Sequence, residues 1–309
     1  YTCGSDNKIY VYDLVTRELI QTLEFPASKT VIVQDVAISA EESTLYAVGI
    51  QEDKDSVFAT ADIDAAGTHT WGPTSIECGV KYVRLAMGPA PTNQLYAIQK
   101  AQGLFEIRDI GLPGFVTNAV LGFNATGLLE LSPDGTRAFS AQNNATAVGT
   151  EVSDFDQVIA IDVSAAVPAI LQTYTVSGND NENDLTARGD ILYVTGDPAV
   201  GQTKSLWDFN IASGAQAFTP PVDLAEDTIT RLAVASGTAA GDFVLVTLAD
   251  RFKVVRVDLA THTLDAGFRL PVQIFPTDIS VSSDGLFSFV LNPIVNTLTA
   301  IDLEAVFDP

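Results

Sequence analysis

Histidine is almost missing from this chain, with two among 309 residues, and cysteine and methionine are as scarce at two and one. So few imidazoles exclude a histidine-rich copper or zinc centre. No Cys-x-x-Cys-His stretch occurs, which excludes a covalently held c-type haem. Gly-x-Ser-x-Gly is absent, and so is a glycine-rich phosphate cradle. Positive charge is also short: 16 Lys and Arg face 39 Asp and Glu, leaving a net charge of −23. That field repels phosphate backbones and anionic lipid surfaces, and no basic patch offsets it, so neither nucleic acid nor a membrane surface is an expected partner. A cationic protein surface or divalent cations suit it better. Apolar runs are strand-sized, and no membrane-spanning helix is expected. The chain begins at Tyr1 with neither methionine nor signal peptide, as a processed or trimmed start would. With few Cys, Met and Lys, this suits an exported bacterial or archaeal protein of the periplasm or cell surface.

What is present is repetition. Hydrophobic residues make up 47% of the chain, enough for a large core. One phrase recurs: a β-rich run, an apolar residue, Asp, a small or apolar residue, then a turn. It reads Tyr12-Asp13-Leu14, Ile63-Asp64-Ala65, Arg108-Asp109-Ile110, Ile161-Asp162-Val163, Phe209-Asn210-Ile211, Val257-Asp258-Leu259 and Ile301-Asp302-Leu303. Successive copies lie 44–53 residues apart, a spacing that fits the blades of a β-propeller. Before each phrase comes a strand such as Thr44-Leu-Tyr-Ala-Val-Gly49 or Ile191-Leu-Tyr-Val-Thr195. Upstream hairpins end in Asp-Gly, at Asp134-Gly135 and Asp284-Gly285, where glycine supplies the positive φ of the turn. Each repeat therefore reads as an up-and-down sheet with strands a to d. The expectation is an all-β fold, one domain over 1–309, built as a seven-bladed propeller of four-stranded blades. The blades fall near 1–25, 30–78, 81–121, 126–176, 184–224, 228–271 and 275–309. The ends read as b, c and d at 1–25 and as a, b and c at 275–306. The recurring Asp or Asn is expected to accept backbone N–H groups in the turn that follows it.

Phrases such as Ile191-Leu-Tyr-Val-Thr195, Ser132-Pro-Asp-Gly135 and Val257-Asp-Leu-Ala-Thr261 resemble the YVTN-type repeat of surface-layer propellers and of the quinoprotein amine dehydrogenase β-chain-like superfamily. The resemblance spans nearly the whole chain and implies blade construction. Its members include cell-surface propellers, amine dehydrogenase subunits and lactonase-like enzymes.

In such a fold the b–c and d–a loops share one face, and the acidic residues concentrate there. Glu52, Asp53 and Asp55, then Glu151, Asp154 and Asp156, and then Glu226 and Asp227 are the candidate partner-binding positions. The run Asp180-Asn-Glu-Asn-Asp184, read as a d–a loop over 177–184, sets Asp180, Glu182 and Asp184 at alternate positions, as at the opening of a calcium loop. The glycine and distal Glu of an EF-hand are missing, so a plain polar loop is the competing reading. His69 and His262 both stand in Thr-His-Thr turns between strands c and d and are read as equivalent turn residues. Cys3 and Cys78 are expected at different radii and heights, favouring thiols over a bridge. Trp71 and Trp207 are read as packing residues. The leading expectation is a non-enzymatic binding or scaffold propeller with an acidic loop face for a protein partner and, at Asp180, Glu182 and Asp184, Ca²⁺. The alternative is a lactonase-like hydrolase or the propeller subunit of an amine-dehydrogenase-type redox complex.

Overall fold

A computed structural model describes residues 1–3, 7–13, 15–26, 31–39, 41–51, 56–72, 76–77, 82–88, 94–99, 104–109, 117–120, 124–125, 128–143, 157–165, 167–176, 179–198, 204–219, 221–224, 229–238, 241–282 and 284–307. Among them the strands form seven antiparallel sheets, each a meander in chain order. The first holds Thr2–Cys3, Lys8–Tyr12 and Leu19–Glu24. The second holds Val31–Ile38, Thr44–Gln51, Ser56–Ile63 and His69–Trp71, with Ile76–Glu77 also on Ser56–Ile63. Tyr82–Met87, Gln94–Gln99, Leu104–Asp109 and Thr117–Val120 make the third. In the fourth, Asn124–Ala125 and Glu130–Leu131 pair with Arg137–Asn143, followed by Gln157–Asp162 and Ala169–Thr175. The fifth comprises Asn179–Arg188, Ile191–Pro198, Ser205–Asn210 and Val222–Asp223. The sixth comprises Ile229–Thr238, Gly241–Leu248, Lys253–Asp258 and Thr263–Pro271. The seventh has Asp278–Val281, Phe287–Asn292 and Thr297–Asp302, after which the chain turns into a short helix, Leu303–Phe307. No helix among the described residues is long and apolar enough to cross a membrane.

The chain divides into two compact units, Tyr1–Asn144 with Val158–Thr173, and Ala145–Gln157 with Tyr174–Pro309. Within each, sheets stack through the two-residue period of their central strands. In Thr44–Gln51, Leu45 and Ala47 pack with Ile9, Val11 and Leu23 of the first sheet. The intervening Tyr46 and Val48 pack with Leu85, Leu95 and Ala97 of the third. The second unit repeats the scheme. Val244 and Val246 join Tyr193 and Leu206 of the fifth sheet, while Phe243 and Leu245 join Ile279, Val290 and Ile301 of the seventh. A strand buried on both faces reads as a continuous apolar run, as Phe243-Val-Leu-Val246 does.

Hydrogen bonds from the inner strands tie neighbouring sheets together. Asp35 follows a bulge in Val31–Ile38. Its Oδ2 accepts Leu85 N–H of the third sheet at 2.9 Å, its Oδ1 accepts Val36 N–H at 2.9 Å, and Arg84 Nη1 lies 3.7 Å from that Oδ1. Asp184 follows a bulge in Asn179–Arg188, and its Oδ2 accepts Leu232 N–H of the sixth sheet at 2.9 Å.

The repeated Asp or Asn closes its turn. Asp13 Oδ1 accepts Val15 and Thr16 N–H, Asp64 accepts Ala66 and Thr68, Asn210 accepts Ala212 and Ser213, and Asp258 accepts Ala260 and Thr261. The side chain of Asp109 lies outside the described residues. Because Asn210 serves as well as Asp, Asp258→Asn should leave chemical stability near that of the parent. Asp258→Ala, which strips the acceptor, should lower it by about 1 kcal/mol in urea melts, as loss of a comparable cap does.

These bonds also set the response to acid. Turn N–H and hydroxyl donors hold Asp13 (chiefly Thr16), Asp162 (Ser164) and Asp258 (Thr261) below the ordinary 3.8. The Ser132 and Ser282 hydroxyls do the same for Asp134 and Asp284. A carboxyl more acidic folded than unfolded stabilises the fold above its unfolded value and loses that contribution as pH falls through the folded one. Urea midpoints should therefore decline from about pH 5 downward. A midpoint at pH 3 equal to that at pH 6 would contradict this.

Candidate functional site

In the sequence two adjacent prolines, Pro220 and Pro221, stand just ahead of Val222–Asp223, the short outermost strand of the fifth sheet. Proline has no N–H for the ladder, so a strand cannot run on through it. Among the described residues, the segment after Asn210 makes one isolated bridge, Gln216 to Phe209, and rejoins the sheet as the two-residue strand Val222–Asp223. The corresponding strand of the sixth sheet, Thr263–Pro271, runs nine residues. Between the two lies a cavity of about 460 Å³. Its apolar walls are Phe218, Pro221, Val222 and Leu264, and its polar ones Thr219, Asp223, Thr261, His262 and Thr263.

Behind the cavity sits Asp208, a carboxylate only 6% exposed in a strand otherwise packed with Leu206, Trp207 and Phe209. Its Oδ1 accepts Phe218 N–H at 3.3 Å, bonding backbone that the broken ladder leaves over. Its Oδ2 stands 3.3 Å from His262 Nδ1, and the imidazole stacks on the Phe218 ring at an interplanar angle of 20°. Burial raises the Asp208 pKa, His262 acting against it. Tyr193 is pushed up to about 12 by burial and then by the charges of Asp208 and Asp242.

His262 has φ +53°. Gly214 in the fifth sheet and Arg17 in the first occupy the same place, four residues after the turn Asn or Asp, with φ +70° and +62°. The turn asks for a left-handed residue, which glycine supplies without strain. A histidine there is held by its Asp208 contact and by Phe218.

His69 is different, which corrects the reading of the two histidines as equivalent. In its turn the left-handed residue is Gly67, φ +78°, and His69 begins the strand His69–Trp71. Its Nδ1 lies 2.9 Å from Gln21 Oε1 and its Nε2 2.8 Å from the Tyr1 hydroxyl, joining the outer strands of the first and second sheets. Burial lowers its pKa.

A second correction concerns 177–184. Asn179–Arg188 is a strand paired with Ile191–Pro198, with bulges at Asn179/Asn181 and Glu182/Asp184. The pairing partner satisfies a polar backbone that the composition alone assigns to a loop. The side chains of Asp180 and Glu182 lie outside the described residues; Asp184 has one carboxylate oxygen committed to Leu232 N–H. Glu52, Asp53, Asp55, Glu151, Asp154, Asp156, Glu226 and Asp227 lie outside the described residues as well. Among the described residues no three His, Cys, Asp or Glu gather as metal ligands would. Cys3 is half-buried and not in a disulfide, and Cys78 is outside the described residues. Trp207 is buried in the fifth sheet, and Trp71 packs on Phe25 with ring centroids 5.6 Å apart.

Sequence reasoning set the cavity aside because it looked for sites on the opposite loops. Two signals were available: an Asp inside the apolar run Leu206-Trp-Asp-Phe209, and the adjacent prolines where an outer strand was due.

No family model matches the chain, and no curated protein does. Solved structures do resemble it. A chain of Kuenenia stuttgartiensis hydrazine synthase superposes with TM-score 0.75 at 15% identity, covering 96% of this chain and 89% of that one. A chain of the mitotic checkpoint complex gives TM-score 0.72 at 14% identity, over 96% of this chain and 82% of that one. At such identities the likeness speaks for the fold, which is all-β and propeller-like.

Proposed function

We propose that the chain is a binding propeller, a subunit or scaffold that engages a protein partner through acidic loops and carries out no chemistry of its own. Its seven sheets would be the blades of one YVTN-type ring, exported to the periplasm or cell surface. The observation that carries the reading is likeness along 96% of the chain to a chain of an assembly whose name is that of a complex. Charge supplies the chemistry of recognition. With a net charge of −23, the partner is a protein with a basic face, and attraction to it falls with ionic strength. Ca²⁺ at Asp180, Glu182 and Asp184 belongs to the same reading, since a hard cation would relieve the crowding of carboxylates.

Two measurements test it. Replacing Glu52, Asp53, Asp55, Glu226 and Asp227 by their amides should weaken retention of the partner on the immobilised chain and flatten its salt dependence. Equal retention by parent and variant would remove the acidic loops from the reading. In calorimetric titration with CaCl₂, the parent should take up one ion and an Asp180→Asn/Glu182→Gln variant none. No heat from the parent, or equal heats from both, would remove the calcium.

A further inference from the structure

We propose that the outer edge of Thr297–Asp302, in the seventh sheet, takes a β-strand from a partner protein, an extended segment basic at its N-terminal end. The site rests on the protein-partner reading for the basic character of the partner, and is made by backbone rather than by the acidic loops.

In each of the other six sheets, the strand leading into the repeated Asp or Asn has a further strand outside it. In the seventh, Thr297–Asp302 leads instead into the helix Leu303–Phe307, with Glu304, Ala305 and Val306 exposed. A helix keeps its backbone bonds to itself and extends no ladder. Among the described residues no strand pairs with this edge.

Register shows which groups are left over. Leu303 N–H bonds Leu286 O, and Ile301, Thr299 and Thr297 oppose Ser288, Val290 and Asn292. Antiparallel pairs alternate between bonded and non-bonded, so these three bond inward, and Leu298, Ala300 and Asp302 turn their N–H and C=O outward. The sixth sheet shows what fills such an edge. Val254 and Asp258 hold the places of Leu298 and Asp302, and they face Leu270 and Thr263 of the strand Thr263–Pro271.

Free edges are usually guarded by a charge, a proline or a bulge. The outermost strand of the fifth sheet is two residues long behind Pro221; that of the sixth has Asp265, Arg269, Pro271 and a bulged pairing. Thr297-Leu-Thr-Ala-Ile301 has no charge and no proline, and its pairing with Phe287–Asn292 runs without a bulge. Ile301 joins a core with Phe268 of the sixth sheet, against which Leu270 packs only partly buried. A strand with apolar residues at alternate positions would extend that core.

Charge decides what kind of strand. From Leu270 to Pro309 the sequence has five Asp and Glu and no Lys or Arg. Asp284, Asp302 and Glu304 stand at the end of the sheet where Leu303 meets Leu286. An antiparallel strand begins at that end, as Thr263 does opposite Asp258. The occupant is a basic strand.

The probe is the capped peptide Lys-Lys-Thr-Val-Thr-Val-Thr-Val, titrated by calorimetry into the whole chain at low salt. One control peptide replaces both Lys by Glu; the other methylates every Thr and Val amide nitrogen, removing the ladder donors but not the charge. The parent should bind the probe at least about tenfold more tightly than either control. Ala300→Pro removes an outward N–H, which an edge strand tolerates, so its urea midpoint should match the parent while affinity falls at least about tenfold. Should the midpoint fall too, hydrogen exchange in the parent decides. Saturating probe should slow exchange of the Leu298, Ala300 and Asp302 amides at least about tenfold and leave Thr299 and Ile301 unchanged. Equal binding of either control, unchanged exchange at the three amides, or full affinity in Ala300→Pro would overturn the proposal. So would slow exchange there in the free chain, which would mean an edge already covered, or a dimer that Ala300→Pro dissociates, which would make the occupant a second copy. The amide variant at Glu52, Asp53, Asp55, Glu226 and Asp227 should bind the probe as the parent does, so the two readings can fail separately. A loss there as large as in Ala300→Pro would mark general attraction to an acidic surface and overturn the edge site.

Discussion

Truncating Phe58 to alanine should lower the free energy of unfolding by about 3–5 kcal/mol, the usual cost of emptying a packed aromatic site. Phe58 is 1% exposed and stacks on Tyr46 at 6.1 Å between centroids, both rings packing against Leu85, Leu95 and Ala97 of the third sheet. It sits at the contact between two sheets rather than inside one. Neither sheet can cover this face alone, so their stacking is what buries it. Urea unfolding followed by tryptophan fluorescence and far-ultraviolet dichroism would give the change. A loss below about 1 kcal/mol would mean that the second and third sheets do not depend on one another.

Asp35→Ala should cost about 2–4 kcal/mol through a different mechanism. The carboxylate accepts Leu85 N–H across the sheet boundary and Val36 N–H within its own strand, with Arg84 beside it. Alanine leaves those donors without their acceptor and the guanidinium without its neighbour. Asp35→Asn keeps an oxygen for one N–H but loses the charge, and should fall between the parent and Asp35→Ala. Because Asp184 makes the matching bond to Leu232, Asp184→Ala should destabilise as well. Equal stability of the parent and Asp35→Ala would show that this inter-sheet bond contributes nothing.

The sheets were legible in the sequence for a physical reason. A strand packed on both faces must be apolar at successive positions, and its closing Asp must precede the turn it caps. Leu45-Tyr-Ala-Val48 followed by Asp64, and Val244-Leu-Val246 followed by Asp258, carry both marks. Asn179–Arg188 was not legible, because six polar residues in a row look like a loop until the partner strand Ile191–Pro198 satisfies their backbone. The helix Leu303–Phe307 stands where the repeat would place an outer strand, and nothing in Leu-Glu-Ala-Val-Phe sets the two apart locally. The cavity was hidden for another reason. His262 resembles His69 in its Thr-His-Thr setting, and only the backbone shows that one is the left-handed turn residue and the other a strand residue. The pairing of His262 with Asp208 spans 54 positions, from one sheet to the next, and no local pattern announces it.

The claim that the chain works by binding a protein is met most directly by native mass spectrometry of the chain recovered from its source organism at low and at high salt. The account predicts a stoichiometric complex with a basic partner protein at low salt that dissociates to the free chain at high salt. Recovery of the free chain alone at low salt would contradict it.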